Sequence, residues 1–116
     1  MSKRTERVNS LVQKELAQII AKEIEFPIDI LATLTRIETS FDLANAKVYI
    51  AVLPPEKAKW AVGVLNKMVY TLQKTLNKRL RIRPIPKIMF VEEKQTFEAA
   101  KIEGLLREIK EDEIID

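Results

Sequence analysis

KAKWAVGVLNKMVYTLQKTLNKRLRIRPIPK, residues 57–87, carries nine basic residues and no acidic one. At about 100° per residue, Ala58, Val62, Leu65, Val69, Leu72, Leu76 and Leu80 fall on one apolar stripe. Lys67, Lys74, Lys78 and Arg81 fall on the opposite face. The periodicity predicts a long amphipathic helix that runs on to Leu80, and its apolar phase demands no break on the way. A face that is merely solvated normally mixes signs, because i,i+4 pairs relieve like-charge repulsion. A face without acids is expected to meet a polyanion, whose phosphates reward clustered Lys and Arg through counterion release. Arg81-Ile82-Arg83-Pro84-Ile85-Pro86 then leaves as an extended basic linker, since two prolines preclude helix there. Lys67, Lys74, Lys78, Arg79, Arg81, Arg83 and Lys87 are the candidate nucleic-acid contacts. Arg79 and Arg83 could each fork two phosphate oxygens, a geometry lysine lacks, although Arg79 lies toward the edge of the apolar stripe.

The flanks differ in sign. Residues 1–56 hold seven Lys/Arg against eight Asp/Glu, and residues 92–116 hold four against nine. A formal net charge of +3 therefore conceals a polarised chain, and a polyanion responds to the local field rather than the total. Residues 5–25 are predicted helical, with Val8, Leu11, Val12, Leu16, Ile19, Ile20 and Ile24 at three-four spacing and Pro27 as the stop. Acids interleave with most of its basic residues, so its polar face reads as solvated. Arg4 and Arg7, at its start, are additional candidates for contact. Residues 31–39 and 45–53 are predicted strands. The second alternates, with Ala46, Val48, Ile50 and Val52 to one side. In the first, Leu34 and Ile37 are an odd number apart, which suggests a bulge or a twist. Ser40-Phe41-Asp42-Leu43 connects the two as a hairpin, with Ser40 and Asp42 bonding to nearby amides.

Pro54-Pro55-Glu56 opens the long helix, proline being tolerated in a first turn. Trp60 is its misfit, because it shares the side of Lys67. It either packs on a loop or neighbouring chain, or stacks on a partner. Residues 87–91 form a third strand closed by Glu92-Glu93-Lys94. Residues 97–109 form a last amphipathic helix on Phe97, Ile102, Leu105, Leu106 and Ile109, with Thr96 as cap. Residues 1–110 make a single domain and residues 111–116 a short acidic tail.

Composition excludes several classes. The 116 residues include no cysteine and no histidine, which removes disulfides, thiolate metal sites and the usual general base. Two glycines speak against a Gly-rich phosphate loop. No apolar run reaches the ~18 residues of a membrane span, and the N-terminus lacks a signal-peptide core, so a cytoplasmic protein is expected. No metal and no cofactor is expected. A nuclease built on Glu92, Glu93 or the tail acids would lack convergent partners, and the expectation is a protein that is not an enzyme. The alternative to nucleic-acid docking is a protein–protein interaction module, with Trp60 and the open face of the sheet as its surface.

The element order is α+β, with a three-stranded sheet covered by helices on one face, plus a C-terminal helix. It resembles the type II KH topology, α-β-β-α-α-β. Ile37-Glu38-Thr39-Ser40-Phe41-Asp42-Leu43-Ala44-Asn45-Ala46-Lys47-Val48-Tyr49 resembles the hairpin of the ribosome-binding factor A (RbfA) family. Leu80-Arg81-Ile82-Arg83-Pro84-Ile85-Pro86-Lys87-Ile88-Met89-Phe90 resembles that family's passage into its third strand, and the opening Arg4-Thr5-Glu6-Arg7-Val8 is similar too. The resemblance covers about residues 4–106. It implies a monomeric, non-enzymatic domain that binds the small (30S) ribosomal subunit and its 16S rRNA or precursor. Such proteins assist late maturation and rRNA processing, above all in the cold. Ordinary KH domains clamp RNA with a Gly-x-x-Gly loop, and this sequence has none. The family instead breaks its long helix at an Ala-x-Gly kink. The corresponding Met68-Val69-Tyr70 has neither small residue, which leaves both a straight helix and a bend made another way open.

Overall fold

The structure is a computed structural model and describes residues 3–94. Helix α1 spans Lys3–Glu23 and turns Val8, Val12, Leu16 and Ile19 into the core. Ile24 still donates to the Ile20 carbonyl at 2.9 Å, and residues 24–27 are non-helical, as the restriction ahead of Pro27 requires. Strands β1 (Leu31–Thr39) and β2 (Asn45–Leu53) pair antiparallel, and β3 (Lys87–Glu92) joins β2 in parallel. The sheet order is β1-β2-β3. The last helix and the acidic tail expected over 97–109 and 111–116 lie outside the described residues.

The bulge sits at Thr35. Leu34 pairs with Ile50 and Arg36 with Tyr49, so one residue of β1 has no partner. That insertion lets both Leu34 and Ile37 turn inward and carries Arg36 to the outer face. In β2 the inward residues are Ala46, Val48, Ile50 and Val52, all buried.

Of the two forms left open for the long helix, straight or bent, the structure has the break. A 3-10 turn at Pro55–Lys57 leads into α2, Ala58–Lys67, and α3 follows at Val69–Arg79. Between them Met68 adopts φ −95°, ψ 4°, in the bridge region that ordinary residues can occupy. Its amide is shared between the Val64 and Leu65 carbonyls at 3.2 and 3.1 Å, a local tightening of the turn. Neither glycine nor proline makes this break. Ala58, Ala61, Leu65, Leu72 and Leu76 keep one buried phase across it, which is why periodicity could not reveal it.

Two side-chain amides fasten these helices to the free edge of β3. Asn66 donates to the Phe90 carbonyl and accepts from the Phe90 amide, both at 2.9 Å. Gln73 accepts from the Ile88 amide at 2.8 Å and donates to the Pro86 carbonyl at 3.2 Å. The pair supplies the bonds a fourth strand would have made and covers an edge open to misassociation.

Candidate nucleic-acid interface

The predicted contact residues are all exposed, but they do not form one array. Lys67 closes α2, while Lys74 and Lys78 lie on the outward side of α3, opposite buried Leu72 and Leu76. Arg81 follows on the extended segment. Lys67, Lys74, Lys78 and Arg81 form no ion pair with any described residue. Lys74 and Lys78 stand one turn apart on α3, and like charges at that spacing repel one another unless a partner of opposite sign neutralises them.

Arg79 is separated from that face. Its guanidinium lies 3.7 Å from the Glu15 carboxylate of α1 and helps hold α3 against α1. Arg83 folds back on its own chain and donates to the Leu80 and Ile82 carbonyls at 3.2 and 2.7 Å. Arg4 and Arg7 of α1 meet it around a cavity of about 350 Å³, together with Val8, Leu11, Leu43, Ile82 and Pro84. Lys87 belongs to a different place. It lines a cavity of about 500 Å³ at one end of the sheet with Glu38, Lys47 and Met89. Lys47 was not singled out from the sequence, although strict alternation in β2 puts it outward beside the start of β3.

Trp60 meets Phe26, which lies beyond the end of α1, edge-on with ring centroids 6.1 Å apart. About half of its surface remains in water, as do Leu31 and Leu53, which face each other across the sheet. Glu93 is not part of a metal cluster among the described residues. It is buried, accepts from Arg36 Nε at 2.6 Å, and receives the Thr35 hydroxyl at 3.2 Å. The bond to Glu93 holds the Arg36 guanidinium above its usual range, and the guanidinium stacks 3.8 Å over the Tyr49 ring.

Helix, hairpin, two helices meeting at a break, and a parallel third strand define a KH-like α+β domain, here without a Gly-x-x-Gly loop. Within that class the chain belongs to the ribosome-binding factor A family, whose model matches residues 4–106. It is 36% identical over 108 residues to the ribosome-binding factor A of Thermodesulfovibrio yellowstonii, covering 93% of this chain and 92% of that one. A Thermotoga maritima protein assigned to ribosome binding factor A, solved in solution by NMR, superposes with a TM-score of 0.68 at 30% identity, covering 82% of this chain and 92% of that one. The Thermus thermophilus ribosome binding factor A, as a homology model fitted into the map of a 30S complex, superposes with a TM-score of 0.61 at 25% identity, covering 72% and 88%.

Proposed function

We propose that this protein docks on the small ribosomal subunit and assists its late maturation and the processing of 16S rRNA, acting as a monomer without catalysing a reaction itself. The observation that carries the reading is that Lys67, Lys74, Lys78 and Arg81 are each exposed and unneutralised by any described residue, and we read them as one docking face. Family membership and the 30S-fitted relative support the choice of partner. Without a Gly-x-x-Gly loop to clamp a single strand, charge and shape carry recognition on this face. Four engaged phosphates give a log-log salt slope of about −3.6 on duplex RNA, and an affinity loss on the order of 100-fold between about 50 and 200 mM salt. A flat salt response contradicts docking by this face. Pull-down of the tagged protein from lysate tests the maturation step: precursor small-subunit RNA is enriched over mature RNA. Equal recovery of both opposes the reading.

A second reading is favoured by the exposed apolar side chains of Leu31, Leu53 and Trp60. There the molecule is a protein-interaction module without a direct RNA role. Its complex persists at high salt and is lost on Trp60→Ala.

A further inference from the structure

Three arginines from two distant segments surround one concavity. Arg4 and Arg7 come from the first turns of α1, and Arg83 comes from the linker before β3. No acidic side chain lines the space, and its other lining residues are apolar. Its volume of about 350 Å³ lies at the small end of the ~300–1,000 Å³ range of ligand pockets. A duplex cannot enter such a space, and a lone phosphate has no use for an apolar floor.

Two features show that the pocket is held in shape. Arg83 spends both Nη1 protons on the Leu80 and Ile82 carbonyls, which fixes its planar group and leaves Nε and Nη2 to donate. Leu43, part of the floor, has φ 62°, a left-handed conformation that is costly for a branched side chain. The turn overrides that cost. The Leu43 amide donates to the Ser40 carbonyl at 2.9 Å, and Asp42 bridges the Ser40 hydroxyl and the Ala44 amide at 2.7 and 3.1 Å. Strain of this kind persists where the surroundings over-determine it, and it gathers at ligand clamps.

We propose that Arg4, Arg7 and Arg83, above a floor of Val8, Leu43 and Ile82, form a pocket for one unstacked nucleotide of single-stranded RNA. The guanidinium planes stack on or bracket the base and bond its flanking phosphates, while the apolar floor covers the base edge. In the chain, Arg81 directly precedes Ile82 and Arg83 of the pocket. The inference rests on the reading of ribosomal RNA as partner, and it adds a place for an extruded base to a docking face that reads charge and shape.

The test uses the full chain, methyl-labelled, titrated with a mixed-sequence single-stranded RNA hexamer. Inorganic phosphate at matched ionic strength, hexaglutamate peptide and a short RNA duplex serve as comparisons. The methyls of Val8, Leu11, Leu43 and Ile82 shift with the hexamer and stay still with phosphate and peptide. Arg4→Ala combined with Arg7→Ala, both at exposed positions, lowers hexamer affinity about tenfold or more and duplex affinity by a smaller factor. Silent methyls overturn the pocket. Equal shifts with phosphate or hexaglutamate make it a general anion or acidic-peptide site, and an equal loss on hexamer and duplex makes it plain electrostatics; either result also overturns it. The hexamer titration needs no ribosomal subunit, so its outcome is independent of whether the α3 face docks there.

Discussion

Arg36 owes its direction to one inserted residue. Thr35 bulges out of β1, and the guanidinium thereby reaches the outer face, over Tyr49 and against Glu93. Glu93 is buried and Arg36 is a charged partner to it, so Arg36→Ala removes a charge-assisted hydrogen bond from a buried carboxylate. The expected loss is about 1–3 kcal/mol, toward the lower end because Arg36 is itself partly in water, and urea unfolding measures it. The odd spacing of Leu34 and Ile37 made a bulge legible in the sequence. The ion pair was not legible, because its members lie 57 residues apart and only the folded sheet brings them together. Asp42 gives a second test at this scale. The Ser40 hydroxyl, and then the Ala44 amide, hold its carboxyl below the ordinary range. A lowered carboxylate pKa contributes stability above its unfolded value, and that stability is lost as pH falls through the lowered one. Ser40→Ala therefore raises the Asp42 pKa toward the ordinary value, as read by NMR titration of its carboxyl carbon.

Between elements, the decisive contacts are the amides of Asn66 and Gln73 on β3. They sit seven residues apart on two helices and reach alternate residues of one strand edge. Nothing in composition or periodicity marks them, because a polar residue flanking an apolar stripe looks the same whether it meets water or backbone. Asn66→Ala returns the Phe90 amide and carbonyl to solvent, and Gln73→Ala does so for the Ile88 amide. Each substitution costs about 1 kcal/mol and accelerates hydrogen exchange at the named amide, and unchanged exchange there contradicts the edge-capping role. The strands were legible because β2 alternates without exception. The break at Met68 was not legible from periodicity, and only the family resemblance marked Met68-Val69-Tyr70 as its possible place. Its backbone needs no special residue, and the apolar phase is the same on either side.

Across the whole molecule, the acid-free run from Lys57 to Lys87 divides among several surfaces. Lys67, Lys74, Lys78 and Arg81 stay open on α2, α3 and the linker. Arg79 helps join α3 to α1, Arg83 joins Arg4 and Arg7 around a pocket, and Lys87 lies with Lys47 at one end of the sheet. Charge in the sequence raised the expectation of a polyanion partner, while the fold distributes those charges over several surfaces. The central claim is that the open part of this array lies against ribosomal phosphates. Co-sedimentation of the Lys74→Glu, Lys78→Glu variant with small ribosomal subunits at moderate salt tests it most directly. The account predicts a folded protein that stays at the top of the gradient while the parent chain travels with the subunit. A variant that travels with the subunit as the parent does would contradict it.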